Sequence, residues 1–333
     1  MRRIVIVLAA LALVACGTNT ATPEPPQQST STTLLPTTPT TQSAPTTTSA
    51  PVETAATVAP STTTTASPAV TTTTVATPGT TAPTAGPLVV APYFYVDEDG
   101  HVGRPGPFLL PVAREAKPTL AVARAAMEQL LAGPTKGEQD GIPAISTAIP
   151  PGVRLLGLTI SEDIAVVDLS SEFGATDDSA AIAQRAAQVV FTLSRFDSVA
   201  EVLFRQDGEP VPIQTGDGPL VTRPVGIDDY LQFAAAISVE SPVYGGPAGN
   251  PMRVTGFGAV FEATFQYALT DDDGLILEEG VAMTNNGVGW GGFDFTIRYE
   301  VDRKQVGALI VWAHSAENGE RIDFREYPVV LTP

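Results

Sequence analysis

Few side chains in this 333-residue chain are of a type that does chemistry, and their spacing narrows what that chemistry could be. There is one cysteine, Cys16, and there are two histidines, His101 and His314. Zinc is normally held by four Cys, His or carboxylate ligands, so a zinc site of ordinary composition is not expected. Counting leaves a Ser-His-Asp arrangement open. Neither histidine stands near a Gly-x-Ser-x-Gly elbow, however, and both read as solvated or hydrogen-bonded histidines. Asp271-Asp272-Asp273-Gly274 offers carboxylates to a cation but lacks the later glutamate and the spacing of a calcium loop. It reads as a hairpin turn, and so does Asp97-Glu98-Asp99-Gly100. Asp168 is the one polar residue inside an apolar strand. It is a candidate general base, but the two-residue period of a strand turns it away from Val167 and Leu169, which favours a solvated or hydrogen-bonded position. Trp290, Phe293 and Trp312 are candidates for an aromatic platform under a sugar. Strand aromatics mostly fill cores, which leaves Trp290, in the glycine-rich stretch Gly287 to Gly292, as the candidate ligand contact. No glycine-rich phosphate loop occurs. No catalytic residue, cofactor-binding residue or metal ligand is therefore expected, and the chain is expected not to be an enzyme.

The remaining reactive group is the Cys16 thiol. Arg2 and Arg3 precede an apolar run from Ile4 to Ala15, and small residues stand just before Cys16. A positive end, a short apolar core and small residues make a secretory signal. The run is about 12 residues, against the ~20 needed to span a bilayer. Leu13-Val14-Ala15-Cys16 resembles the lipobox of bacterial lipoproteins. That resemblance implies diacylation of Cys16 on sulfur and cleavage that makes Cys16 the new N-terminus. Two acyl chains anchor stably where one is marginal. The competing reading of Cys16 is a buried thiol in an uncleaved helix. The expected location is the extracytoplasmic face of a bacterial cell membrane, with residues 1–16 as leader and lipobox.

Charge limits the partners. Loss of Arg2 and Arg3 with the leader takes the net charge from −18 to −20. Nucleic acid is bound by neutralising phosphates with Lys and Arg, so none is expected as a partner. The same charge argues against electrostatic adhesion to anionic lipid, so the acyl chains are expected to hold the membrane. With one cysteine there is no intramolecular disulfide, and each folded domain depends on its apolar core.

Residues 17–86 are almost wholly Thr, Pro, Ser and Ala, with Leu34-Leu35 the only large apolar pair. Such a stretch cannot bury enough surface to offset its ordering entropy, so a disordered or polyproline-like linker is expected. Its ~70 residues would reach ~45 Å as a coil and at most ~220 Å as a polyproline helix. It is a spacer, or a device that carries the domains into a cell-wall layer. Its hydroxyl density also admits O-glycosylation.

The elements behind the linker fall into two groups. In the first, residues 87–232, Leu88 to Val96 is a strand and His101 to Lys117 is irregular. Thr119 caps a helix with Leu120, Ala123, Met127, Leu130 and Leu131 on one face, and Gly133-Pro134 stops it. Val153 to Ile160 and Ile164 to Ser170 form a hairpin through Ser161-Glu162-Asp163. Ser179 caps a second helix whose stripe is Ile182, Ala186, Val189, Val190 and Leu193. Val199 to Arg205 is the last core strand. This order is a split βαβ pattern, giving a small sheet covered by two helices on one face.

These residues carry a second resemblance. Leu130-Leu131-Ala132-Gly133-Pro134, Ala148-Ile149-Pro150-Pro151-Gly152-Val153, Ala165 to Phe173, Gln188 to Leu193 and Val202 to Gly208 resemble the GerMN domain. That domain occurs in spore-germination and sporulation proteins and other bacterial envelope lipoproteins. The match runs over most of Tyr93 to Asp207. The family is not known for an active site, and its likeness to ring-building motifs of secretion machines implies assembly.

In the second group, residues 235–333, helical spacing disappears apart from a short turn at Asp228 to Ala236. Seven period-2 runs follow, at Ile237–Glu240, Met252–Phe257, Phe265–Leu269, Leu275–Ala282, Phe293–Tyr299, Leu309–Ser315 and Tyr327–Leu331. They indicate an antiparallel sandwich. Ile237-Ser238-Val239-Glu240-Ser241-Pro242, Val254-Thr255-Gly256, Phe261-Glu262-Ala263 and Gly291-Gly292-Phe293 resemble the immunoglobulin-like domain of bacterial spore germination. The expected fold is therefore α+β, a GerMN domain plus an all-β immunoglobulin-like sandwich behind the linker. The expected function is a lipid-anchored envelope protein that binds or scaffolds extracytoplasmic proteins without catalysis, through the GerMN sheet face or a sandwich edge strand. The alternative is a module for cell-wall glycan or a small molecule. A sensor-kinase accessory lipoprotein, which the GerMN resemblance admits, and a hydrolase rank below both.

Overall fold

The computed structural model describes residues 88–97, 102–216 and 218–333, leaving aside the side chain of Asp97. The leader, the lipobox residues Leu13, Val14, Ala15 and Cys16, the linker, His101 and most of the turn expected at 97–100 lie outside the described residues.

The run read as one strand from Leu88 to Val96 is two strands, β1 (Leu88–Val90) and β2 (Tyr93–Asp97). Pro92 sits between them and has no N–H to give a ladder, so the chain changes sheets there. The region read as irregular also forms strands. These are β3 (Phe108–Pro111), wholly buried, and β4 (Arg114–Ala116). Prolines disguised them. Pro107 precedes β3, and Pro111 closes it on an edge, where a missing donor is tolerated. β1 pairs with β4, and β2 lies between β3 and β5 (Ala144–Ser146). Helix α1 (Val122–Ala132) starts later than Thr119 would have it and has no side-chain cap. Leu120, expected on its apolar face, is fully exposed. The buried stripe is Ala125, Ala126, Met127 and Leu130, and Gly133 ends the helix at φ 76. The short α2 (Lys136–Gln139) has the Thr135–Glu138 capping box.

The hairpin of β6 (Leu155–Ser161) and β7 (Ile164–Leu169) turns through Glu162 and Asp163, both left-handed, as a two-residue hairpin loop requires. Helix α3 (Ser179–Leu193) is capped one residue earlier than expected, by Asp178, whose Oδ1 accepts the Ala180 N–H at 2.9 Å. It crosses to β8 (Glu201–Gln206), which runs parallel to β7. With β9 (Glu209–Pro210) the order is β6-β7-β8-β9. The first domain thus has two separate main sheets where one small sheet was expected. A two-residue ladder of β10 (Ile213–Gln214) with β11 (Leu220–Val221) and a 3₁₀ turn at Ile227–Phe233 lead onward.

The seven expected runs of the second domain form seven strands: β12 (Ile237–Ser241), β13 (Met252–Gly258), β14 (Thr264–Thr270), β15 (Ile276–Met283), β16 (Gly291–Ile297), β17 (Gln305–His314) and β18 (Arg321–Leu331). They make an antiparallel three-stranded sheet, β12-β13-β16, facing an antiparallel four-stranded one, β15-β14-β17-β18. Val239, Val254, Phe265, Leu269, Phe293, Leu309, Val311 and Tyr327 alternate inward to fill the space between them. The fold is an α+β domain followed by an immunoglobulin-like sandwich. No described helix is long and apolar enough to cross a membrane.

Candidate functional site

Helix α3 carries a polar stripe on its buried side. Gln188 Oε1 accepts from Ala148 N at 2.8 Å and from the Thr147 hydroxyl at 3.1 Å, while its Nε2 donates to Tyr93 O at 2.9 Å. Thr192 Oγ1 accepts the Tyr93 N–H at 3.0 Å. Arg185 donates to Phe173 O at 2.6 Å and to Ala148 O at 3.2 Å, and burial holds its pKa below the usual arginine value. Their spacing of three and four residues puts all three side chains on one helix face. No ladder joins the two main sheets, so these side chains satisfy the backbone groups that a neighbouring strand would otherwise satisfy.

The first domain presents Tyr93, Arg104, Phe108 and Phe191 to the sandwich. The Tyr93 hydroxyl donates to Glu240 Oε1 at 3.1 Å, and its pKa is pushed well up, by burial first and then by the Glu240 charge. Arg195 donates to Glu240 O at 3.1 Å. Phe257 lies 6.4 Å from Phe191 and 5.5 Å from Trp290, centroid to centroid. The Arg104 guanidinium stands 5.1 Å over Trp290 and donates to Leu231 O at 2.9 Å. The Arg104 N–H donates to Asp323 Oδ1 at 2.8 Å, and the Asp323 N–H to Val102 O at 2.7 Å. Between these two, Gly103 has φ 124, and a Cβ there would strike the Asp323 side chain. Ala113 and Tyr244 add a bond from Ala113 N to Tyr244 O at 2.9 Å, and Tyr244 N reaches Pro111 O at 3.0 Å. Tyr244, Phe257 and Trp290 pack on the first domain's core although all three belong to the sandwich half.

The candidate residues are dispersed. Trp290, the expected ligand contact, is half-buried at this seam between Arg104 and Phe257. Phe293 is inside the sandwich, 4.9 Å from Phe265. Trp312 lies on the outer face of the four-stranded sheet, with the Arg321 guanidinium 4.7 Å above it. The three rings have three different sets of neighbours. Asp168 accepts the Gly208 N–H at 3.0 Å and so holds the turn after β8. Asp271 accepts from Asp273 N and Leu275 N at 3.0 and 2.8 Å, and Asp272 pairs with Arg303 at 2.9 Å, which is a hairpin turn. His314 is exposed at the end of β17, opposite Arg321. Among the described residues no group of three His, Cys, Asp or Glu could hold a metal ion. The stripe of Arg185, Gln188 and Thr192 escaped the sequence reading. Its only signal was polar residues recurring at helical spacing beside an apolar stripe.

This geometry defines an α+β domain joined through a packed seam to an immunoglobulin-like sandwich. Residues 92–212 match the Germane family profile, described as sporulation and spore germination. Residues 236–320 match Gmad2, the immunoglobulin-like domain of bacterial spore germination. The chain carries a GerMN-type domain followed by a germination-type immunoglobulin-like domain. No curated protein matches the chain. Among solved structures, a candidate lipoprotein from Clostridium perfringens is 19% identical, over 43% of this chain and 90% of that one, with a TM-score of 0.29. The first GerMN domain of the sporulation protein GerM from Bacillus subtilis is 16% identical, over 42% of this chain and 98% of that one, with a TM-score of 0.33. The tandem GerMN domains of the same protein are 13% identical, over 63% of this chain and 62% of that one, with a TM-score of 0.34.

Proposed function

We propose that this chain is a lipid-anchored, extracytoplasmic envelope protein that binds other envelope proteins and catalyses no reaction. Residues 1–16 are its leader and lipobox, with Cys16 the acylated residue. Residues 17–86 are a Thr/Pro/Ser/Ala-rich tether, 87–232 the GerMN domain and 235–333 the immunoglobulin-like domain. The observation that carries the reading is the company these parts keep. A lipobox stands ahead of two germination-type domains whose sheets end in strands, β6 and β15, with no described strand on their outer sides. A strand with unpaired backbone groups is a ready partner for another chain.

Two measurements test it. Membrane fractionation and mass spectrometry of the N-terminal peptide should find acylated Cys16 in membranes, and Cys16→Ser should release the protein from them. Crosslinking in intact membranes should recover a protein partner in fixed stoichiometry. Unmodified Cys16 in membrane-extracted protein, or recovery of glycan alone, defeats the reading.

A further inference from the structure

We propose that the outer face of the four-stranded sheet of the sandwich docks a basic amphipathic helix of a partner protein. The inference rests on the protein-binding reading above and names a surface and a chemistry for it. Strand β17 contains six consecutive apolar residues, Ala308-Leu309-Ile310-Val311-Trp312-Ala313. A strand with one wet face should alternate, and an unbroken apolar run belongs to a strand covered on both faces. Leu309, Val311 and Ala313 fill the sandwich core. Ala308, Ile310 and Trp312 point the other way, where, of the described side chains, Arg321 stands over Trp312.

The register extends this face across all four strands. Val281, Gln266 and Trp312 form one row, and Met283 stands beside Thr264 in the next. Ala268, Thr270, Ala308 and Trp312 are buried at the middle of the face, whereas Val281 (64%), Met283 (63%) and Phe324 (42%) stand exposed toward its two sides. Ala268, Thr270 and Ala308 make a low stretch of floor, Ile310 and Trp312 rise beside it on the same central strands, and larger apolar side chains stand at both sides.

Charge and width identify the occupant. One row runs Glu279, Ala268, Ile310, Glu326 from edge to edge. Three inter-strand spacings put the two glutamates about 14 Å apart. A helix with its side chains is about 10–12 Å across. A helix laid along the floor beside Ile310, clear of the Arg321 guanidinium that caps Trp312 at one end of the face, would set its apolar stripe on Ile310 and bring Lys or Arg on both flanks to Glu279 and Glu326. A second copy of this chain would instead oppose glutamate to glutamate on a chain of net charge −18.

The test uses the full chain carrying Trp290→Phe, so that Trp312 is its only tryptophan. It is titrated with an 18-residue synthetic helix bearing a leucine stripe flanked by lysines. Saturable binding that moves the Trp312 emission is expected. Glu279→Lys with Glu326→Lys should weaken it about tenfold or more. Glu115→Lys with Glu128→Lys, on the first domain, should change it less than about twofold. Three results overturn the proposal. These are equal binding of the same stripe flanked by glutamates, indifference to the Glu279/Glu326 reversal, and a dimer in sedimentation that Val281→Lys abolishes. Membrane crosslinking is read separately. A recovered protein partner alongside a failed titration leaves the protein-binding reading standing and removes only this surface.

Discussion

In the first domain the sheet β3-β2-β5 meets β6-β7-β8-β9 across α3, and a polar stripe of the helix runs through an otherwise apolar core. Gln188 and Thr192 hold both backbone groups of Tyr93, and Arg185 bridges Phe173 and Ala148. In the second domain two sheets also face one another, but the join is apolar, with Phe265 against Phe293 at 4.9 Å and Phe295 at 6.2 Å. The cause is the ladder. The sandwich strands satisfy most of their backbone within their own sheets, and the exception is small: beside the irregularity in β12 the Tyr327 hydroxyl of the facing sheet accepts the Val239 N–H at 3.3 Å and donates to Ile237 O at 3.4 Å. In the first domain Pro92 and the short strands leave backbone groups of Tyr93 and Ala148 without strand partners. Helix side chains must then reach them, because a buried unpaired amide is costly. Both domains thus rest on apolar cores, but the first leans more heavily on buried side-chain-to-backbone bonds and should be the more sensitive to their loss.

That contrast sets the order of expected effects. Phe265→Ala empties the middle of the apolar join and should cost about 3–5 kcal/mol in urea unfolding. A loss under about 1 kcal/mol would show that the sandwich does not depend on this packing. Gln188→Leu keeps the volume but strands Tyr93 O, Ala148 N and the Thr147 hydroxyl, and should cost about 2–4 kcal/mol. A neutral result would mean that the polar stripe is replaceable by an apolar one and would erase the distinction. Arg104→Ala removes the guanidinium from Trp290 and from Leu231 O, for about 1–2 kcal/mol. Its diagnostic effect is on cooperativity. Calorimetry should show one transition for the parent and a splitting toward two for the variant, if the seam is what couples the unlike halves.

The smallest effect is with pH. Hydrogen bonds from Arg223, and behind them the Gly226 N–H, hold the Asp229 carboxyl below its usual range. The folded pKa is depressed. The stability this pair adds is therefore present above the unfolded value of about 3.9 and is lost as pH falls through the folded value. Arg223 is half-exposed, so solvent screens the pair. The expected result is that Asp229→Asn flattens the acid limb of the stability curve slightly and leaves its neutral part lower by under about 1 kcal/mol. An unchanged acid limb would remove this pair from the ledger of the first domain.

How much of this was legible depended on the range of the interaction. The β6–β7 hairpin, the stripe of α3 and all seven sandwich strands were readable because period and turn residues are local. The strands β3 and β4 were not, since Pro107 and Pro111 read as breakers where the edge position makes them harmless. Leu120 was misplaced for a related reason. Thr119 looks like a cap, but its hydroxyl only accepts the Ala121 N–H at 3.1 Å, and α1 begins beyond it. Trp290 was read as the ligand contact of a glycine-rich stretch, and the partners that hold it, Arg104 and Phe257, could not be read because they are remote in the chain.

From the sequence alone came what depends on composition and on neighbours along the chain: the apolar run ending at Cys16, the acidic charge, the division into a helical and a period-2 half, and the resemblance to both domain families. Tertiary structure decided which side of each strand found a partner. It turned Gln188 and Thr192 inward to complete β2, set Trp290 into the seam, and turned Ala308, Ile310 and Trp312 to the outer side of the sandwich. Period-2 spacing fixes that alternate residues point apart. Only the packing of one sheet on another fixes which of the two directions is covered.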